Sequence, residues 1–418
     1  MREDIITAAS TPYGGAIAVI RLSGRGSKQL LRNLCNKDFK EPRRAYYTTA
    51  DTGTIKDKCV VIFYEEGKSY TGEESGEVYC HGSAVIAREI TEFFIRNGAR
   101  AAEGGEFTMR AYLNKKLDLT EAEGVLDLIN AETVEQARDA FEKADGKLCK
   151  KIRDIQKKLA DVIAKTEVSI DYPEEDIESF VLKNIKKDVK KIKREIEETA
   201  DGYSDGRKIK EGIKVVIFGK PNVGKSSLFN ALMEEDRAIV NEREGTTRDV
   251  IDGEYVYKGR KFVLYDTAGI RNTDDGIESE GIKRAFKAID GADVRVFVKE
   301  ARDDEKKADC IVVTNKCDIK RGEGINVSAV KKEGINILKE EIYRRTDFVK
   351  KGITVNLRQY SALIKAKECL KRAIDCNLTM DCVAADLTEA YDELGRITSV
   401  IGSDEIIDKI FSSFCVGK

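Results

Sequence analysis

Gly219-Lys220-Pro221-Asn222-Val223-Gly224-Lys225-Ser226-Ser227 is the stretch from which the fold of this chain is read. The apolar run Ile213-Lys214-Val215-Val216-Ile217-Phe218 precedes it and Leu228-Phe229-Asn230-Ala231-Leu232 follows. The order is therefore strand, glycine-bounded loop, helix, and the loop fits G-x-x-x-x-G-K-[ST] without a mismatch. Gly219 and Gly224 let the backbone curl so that successive N–H groups point inward, an anion nest capped by a helix N-terminus. Lys225 is expected to reach the β- and γ-phosphates of a nucleotide, and Ser226 to offer its hydroxyl to magnesium. Asn222, Val223, Gly224 and Ser227 complete the expected phosphate-binding loop.

A glycine loop can arise by chance, but further segments follow in the order a nucleotide site requires. Phe262-Val263-Leu264-Tyr265 reads as a strand ending in Asp266-Thr267-Ala268-Gly269. Asp266 would hold magnesium through water, and the Gly269 N–H would sense the γ-phosphate. Gly245-Thr246-Thr247-Arg248-Asp249 lies where a switch loop belongs, with Thr247 as the second magnesium hydroxyl. Cys310-Ile311-Val312-Val313-Thr314 runs into Asn315-Lys316-Cys317-Asp318. A carboxylate at Asp318 accepts from both N–H groups on the guanine edge, whereas adenine would leave it facing an acceptor, a mismatch that rejects the wrong base. Ser328-Ala329 supplies the last base-side loop. The expected nucleotide is GTP.

Composition bounds the rest. A chain of 418 residues carries several domains, and 35% charged residues cancel to a net −2, so no global field draws it onto nucleic acid. The sequence shows no apolar run of about 18 residues and no basic-plus-apolar leader, so neither a membrane span nor secretion is expected. Ten cysteines form no C-x-x-C pair and read as reduced thiols in a cytosol. A single histidine, His81, rules out a His-based triad or a His-rich metal site and reads as structural.

Residues 1–117 read as α+β, with strands at Asp4-Ile5-Ile6-Thr7-Ala8, Ala16 to Leu22, Cys59 to Tyr64 and Glu77 to Cys80. From Leu119 the spacing turns helical to about Gly206, and Thr120-Glu121-Ala122-Glu123 is read as a capping box opening a helix with Ala122, Val125, Leu126 and Ile129 inward. Leu148, Ile152, Ile155, Leu159 and Val162 continue at helical spacing to a break at Asp171-Tyr172-Pro173-Glu174-Glu175-Asp176. The next helix carries Ile185, Val189, Ile192 and Ile196 among Lys183, Lys186, Lys187, Lys190, Lys191, Lys193 and Arg194. A solvated face is the default reading of that run; an RNA-backbone contact is the sharper one. Residues 212–346 alternate strand and helix, the signature of a parallel sheet covered on both faces. Residues 347–418 are helical again, so the α/β domain is expected to be inserted into a helical domain formed by 118–211 and 347–418. The apolar tail Ile410 to Lys418 is expected to dock into the body, with the Cys415 thiol a buried spectator.

Ile270 stands where Ras-like proteins carry the glutamine that orients the attacking water. A polar replacement must come from elsewhere: Glu278, Asp274, Asp275 and Glu280 all lie just beyond, and Arg248 and Arg271 are finger candidates by proximity alone. Asn222 is placed to coordinate a monovalent cation that takes over the finger's charge.

These motifs, with Ile20-Arg21-Leu22-Ser23-Gly24, Tyr70-Thr71-Gly72-Glu73, Cys80-His81-Gly82, the run Gly105 to Asn114, Lys116-Leu117-Asp118-Leu119 and the terminus Phe414-Cys415-Val416-Gly417-Lys418, resemble the MnmE (TrmE) family of tRNA-modifying GTPases along essentially the whole chain. The resemblance implies a Ras-like P-loop GTPase domain inserted into a helical domain and preceded by an α+β folate-binding-like domain. It implies a cytoplasmic homodimer, with a tetrahydrofolate derivative (5-formyl or 5,10-methylene) held by Arg21, Glu77, Lys116 and Lys418. It further implies potassium at Asn222, Asn241, Arg243 and Thr246, and Glu278 as the group that positions the attacking water. The family acts with the flavoprotein MnmG (GidA) to build an aminomethyl-type group on carbon 5 of the wobble uridine of certain tRNAs. Two departures stand out: the turn Pro12-Tyr13-Gly14-Gly15 is shorter than the family's and lacks its arginine, and Gly104 replaces a proline. Two other readings compete: a ribosome-assembly or regulatory switch without tRNA chemistry, and a folate-binding scaffold with a vestigial nucleotide domain. The intact Lys225, Ser226, Thr247, Asp266 and Asp318 argue against the second.

Overall fold

The computed structural model describes residues 4–171, 175–234, 253–266, 291–303, 305, 307–346, 352–376, 379–399 and 411–417. The chain divides into two compact units, Met1–Leu126 with Glu142–Ile192 and Glu368–Lys418, and Asp127–Phe141 with Lys193–Lys367.

The first unit contains a sheet of β1 (Ile5–Ala9), β2 (Ile17–Ser23), β3 (Tyr46–Asp51), β4 (Lys56–Tyr64), β5 (Ser75–His81) and β6 (Ala99–Ala101), in the order β3-β4-β5-β2-β1-β6. Its pairs are antiparallel except β1 with β6. In β4, Asp57, Cys59, Val61 and Phe63 are buried in strict alternation, the period-two pattern of a half-buried strand. Helices α1 (Ser27–Cys35) and α2 (Ala84–Arg96), which the strand-centred reading of this region missed, supply Leu31, Leu34, Ile90 and Phe94 to one core with Ile20, Leu22 and Val78. Helix α3 (Glu106–Leu113) contributes Phe107 to a smaller cluster with Ile6, Ala8 and Ala102.

Helices α4 (Leu119–Ile129), α5 (Val134–Ala144), α6 (Lys147–Asp171), α7 (Glu175–Ala200) and α8 (Gly202–Glu211) follow. The cap of α4 differs from the sequence expectation. Asp118 Oδ1 accepts from the Thr120 N–H at 2.7 Å and the Glu121 N–H at 3.0 Å, while Glu121 Oε2 accepts from the Asp118 N–H at 2.7 Å. The reciprocal box is thus Asp118 with Glu121, not Thr120 with Glu123, because aspartate accepts at an N-cap as readily as threonine. Ile129, expected to face inward, is exposed. Leu148, Ile152, Ile155, Leu159 and Val162 of α6 are buried, and α6 packs on α12 (Met380–Thr398), whose Tyr391 carbonyl accepts from Gln156 Nε2 at 3.2 Å. Helix α11 (Leu357–Asp375) precedes α12.

The second unit is built on β7 (Ile213–Gly219), β8 (Gly253–Tyr257), β9 (Arg260–Asp266), β10 (Val294–Lys299), β11 (Ile311–Thr314) and β12 (Ile325–Asn326), in the order β12-β11-β10-β7-β9-β8. Every pair is parallel except β8 with β9. Helices α9 (Lys225–Glu234) and α10 (Ile335–Arg345) bury Leu228, Leu232, Leu338 and Ile342 against β7, β9, β10 and β11, at about 1.5–3 kcal/mol per fully buried side chain. The alternation of strand and helix is interrupted. Among the described residues, the connections from β10 to β11 and from β11 to β12 contain turns and no helix. They span only 300–310 and 315–324, close to the minimum of about 10–12 residues for a parallel crossover that includes its helix.

Candidate functional site

β7 carries the phosphate loop out of the sheet between β9 and β10, where the chain turns from one side of the sheet to the other. Asp266 ends β9 in register with Ile217, one strand from that loop. The loop needs its left-handed positions: Asn222 has φ 65° and Gly224 φ 88°, and a Cβ on Gly224 would stand 2.3 Å from Asn315 Nδ2. Helix α9 then begins at Lys225, so Ser226 and Ser227 lie exposed in its first turn, the end of a helix that favours an anion.

Asn315 ties the base side to the phosphate side. Its Nδ2 donates to the Val223 carbonyl at 2.9 Å, and its Oδ1 accepts from the Ala329 N–H at 3.3 Å. Lys316 Nζ donates to the Asn222 carbonyl at 3.1 Å and pairs with Glu300 at 2.5 Å, so its stem runs along the loop. Lys225 is buried, with Nζ donating to the Lys220 carbonyl at 2.9 Å, while Lys220 pairs with Asp303. Asp318 is exposed, and the Ser328 hydroxyl beside it holds its carboxyl below the ordinary range. It is therefore ionised and open to accept from a base. The structure thus brings together Asn222, Val223, Gly224, Lys225, Asn315, Lys316, Ser328 and Ala329. Asn241, Arg243, Thr246, Thr247, Thr267, Ala268, Gly269 and Glu278, with Arg248, Ile270 and Arg271, lie outside the described residues, as does the side chain of Asp266.

The proposed folate residues lie in the first unit. Arg21 Nε pairs with Glu77 Oε1 at 3.0 Å across the β2–β5 register, and Arg21 also donates to the Gly417 carbonyl at 3.4 Å. Glu77 Oε2 accepts from Tyr79 at 2.6 Å and Tyr64 at 3.2 Å. Burial, then the Glu77 carboxylate, raises both phenol pKa values, so both hydroxyls stay protonated and donate. Arg21, Tyr64, Tyr70, Glu77 and Phe107 line a cavity of about 140 Å3, on the scale of a bicyclic ring rather than a whole folate. Lys116 is not among its lining residues: its Nζ donates to the Gly67 carbonyl at 2.9 Å. Lys418 lies outside the described residues. The tyrosines were missed from sequence; the signal for them was the polar alternation Glu77, Tyr79, His81 along β5.

The tail docks as expected. Phe411 and Phe414 are buried with Ala122, Met109 and Tyr112, Val416 bridges Gly104, and the Gly417 carbonyl accepts from Ser10 at 3.0 Å. The approach is close: Gly105 has φ 72°, and a Cβ there would meet the Phe411 carbonyl oxygen at 2.3 Å. Cys415 is exposed, not buried, because the two phenylalanines take the inward positions and turn it outward. Beneath lies a buried charge cluster unseen in the sequence. Arg110 pairs with Asp4 at 2.8 Å, Glu106 at 3.0 Å and Glu73 at 3.1 Å, and Arg100 joins Asp4 and Glu106. Burial opposes ionisation of Asp4 and Glu106, but hydrogen bonds from Arg100 and Arg110 outweigh it and hold both carboxyls below their ordinary values. His81 is structural in its contacts, its Nδ1 2.6 Å from the buried Asp57 carboxylate, although its ring is exposed.

The model of the GTP-binding protein TrmE N-terminus matches residues 5–116, and that of the MnmE helical domain matches residues 119–415. The chain belongs to the MnmE (TrmE) family. The tRNA modification GTPase MnmE of Pseudothermotoga lettingae is 39% identical over 450 residues, covering 99% of this chain and 100% of the relative. The protein of the same name from Aquifex aeolicus is 39% identical and covers both chains completely, at 100% each. Among solved structures, the FeoB G-domain from Methanococcus jannaschii covers 31% of this chain at 26% identity with a TM-score of 0.23, too low to bear on the fold. The MnmE match runs through both ends of the chain, so it does not favour a ribosome-assembly or regulatory switch. Among the described residues no helix is long and apolar enough to cross a membrane.

Proposed function

We propose that this protein is the GTP-hydrolysing subunit of a tRNA-modifying complex. The observation that carries the reading is the Asn315 clamp, which joins phosphate loop and base loop into one nucleotide site, within a chain matched end to end by tRNA modification GTPases. In this reading residues 1–117 form a dimerisation and folate-binding domain, 118–211 with 347–418 the helical domain, and 212–346 the GTPase domain.

Ser226 and Thr247 ligate magnesium, with Asp266 acting through water, and Lys225 neutralises the β- and γ-phosphates. Asn222, Asn241, Arg243 and Thr246 hold potassium, whose charge replaces an arginine finger. The left-handed Asn222 at the exposed rim of the loop has a side-chain amide oxygen that fits an oxygen-seeking cation. Glu278 orients the attacking water. Asn315, Lys316, Asp318, Ser328 and Ala329 hold guanine, with Gly224, Val223, Ser227, Thr267, Ala268 and Gly269 along the phosphates.

Arg21, Glu77, Lys116 and Lys418 bind tetrahydrofolate, which supplies a one-carbon unit when present. The Glu77 carboxylate, fixed by Arg21 on Oε1 and two tyrosines on Oε2, keeps one acceptor position on Oε1 for a pterin N–H. Nucleotide state biases a two-state arrangement that the MnmG flavoprotein reads, and the complex acts on carbon 5 of the tRNA wobble uridine in the cytoplasm. The test is complementation of a bacterial strain lacking its own family member, read by mass spectrometry of wobble nucleosides. Restored aminomethyl-type uridines support the proposal. Unmodified uridines, with the protein expressed and binding GTP, count against it.

A further inference from the structure

The chain is nearly neutral overall, yet between Lys183 and Arg194 it carries seven Lys and Arg against the single acid Asp188. Helix α7 sorts these charges. Ile185, Val189 and Ile192 are buried, so at 100° per residue the opposite face presents Lys183, Lys187 and Lys190, all exposed. Lys186 turns inward, with its Nζ donating to the Cys376 carbonyl at 2.9 Å. Asp188 is shared by Lys191 at 3.0 Å and by Lys165 of α6 at 3.8 Å, so one carboxylate stands between two cations. Among the described residues, Lys183, Lys187 and Lys190 form no ion pair with any carboxylate, although this chain pairs many of its other surface cations.

We propose that the face of α7 bearing Lys183, Lys187 and Lys190, flanked by Lys191 and Lys165, is a contact for the phosphate backbone of tRNA. This rests on the tRNA reading above and adds where the RNA is held. The chemistry selects phosphate rather than bases. Lysine offers a mobile, strongly hydrated point charge with no planar fork to read a base, and Arg194, exposed one turn beyond Lys190 on the same face, is paired with Glu198 at 3.5 Å. Along the helix axis the three ammonium-bearing positions are separated by rises of about 6 and 4.5 Å, close enough to meet consecutive phosphates.

The experiment compares the full-length protein with a K183A/K187A/K190A variant in binding to bulk tRNA across a salt titration. The proposal expects affinity to fall at least about tenfold at low salt, and the slope of log affinity against log salt to shrink by roughly 2–3. The thermal midpoint should be unchanged, and a triple lysine-to-arginine variant should keep the wild-type slope. If wild type binds tRNA and the alanine variant binds it with the same slope, the proposal is overturned and the tRNA reading stands. If wild type binds no tRNA at any salt, the proposal is overturned, while the tRNA reading still stands or falls on the wobble nucleosides of the complemented strain. Competition by polyglutamate as effective as by tRNA would assign the stripe to an acidic protein and also overturn it.

Discussion

The two candidate sites are built from different materials. Around the phosphate loop most fixed contacts end on backbone: Asn315 on the Val223 carbonyl, Lys316 on that of Asn222, Lys225 on that of Lys220. In the first unit the fixed contacts are side-chain charges, Arg21 on Glu77 in one group and Arg110 among Asp4, Glu73 and Glu106 in another. Backbone carbonyls are always present and never titrate, so the nucleotide loop needs only a few residues to draw it into shape. A site made of paired charges is sensitive to each partner and to pH, since removing one leaves the other buried and unpaired.

The largest expected effect lies on the nucleotide side. Glu278→Ala should slow GTP turnover by about 10²–10⁴-fold while leaving GTP affinity near wild type. A change in affinity with turnover intact would move Glu278 from positioning water to binding. Next comes Arg110→Ala, which removes one of the two guanidinium groups that hold the buried Glu106 carboxylate and leaves Arg100 as the other. Denaturant unfolding should show a loss of about 1–3 kcal/mol, and GTP affinity in folded protein should be unaltered. The pH dependence carries a definite sign. The folded-state values of Asp4 and Glu106 lie below their unfolded ones, so their stabilisation is present above the ordinary carboxyl range and is lost as pH falls through the folded values. Acid titration of stability should therefore be shallower in the Arg110→Ala protein; an unchanged profile would remove the cluster from the account.

Smaller effects sharpen the contrast. Asn315→Ala leaves the Val223 carbonyl without its buried donor and should weaken GTP binding by about 1–3 kcal/mol, measured by nucleotide titration. Glu77→Gln keeps the shape but loses the charge facing Arg21, and should weaken tetrahydrofolate binding by about 1.4 kcal/mol, or tenfold, with GTP binding untouched. Equal loss of both ligands in either variant would mean the two sites are not independently built.

The same contrast explains what could be read from the sequence. The nucleotide site was legible because each of its parts is a short motif at a strand end, and neighbouring strands bring those ends together. The folate-side pocket was legible only as far as the family resemblance named Arg21 and Glu77. Tyr64, Tyr79 and the carbonyl of Gly417 reach it from distant segments, through strand register and tail docking that no local pattern encodes. Helices α1 and α2 were hidden because they lie between strongly patterned strands. The capping box moved by two residues because both Asp118 and Thr120 can open a helix, and only the reciprocal bond from Glu121 discriminates. Cys415 was misplaced because an apolar tail reads as buried throughout, whereas two phenylalanines suffice to anchor it.

The most direct test of the central claim, a GTPase in which a monovalent cation stands in for an arginine finger, is GTP turnover at fixed ionic strength. Potassium would be compared with sodium on wild type and on Asn222→Lys. The account predicts strong stimulation by potassium that the substitution abolishes. Equal turnover in the two salts, with GTP binding intact, would contradict it and leave the finger to a separate protein.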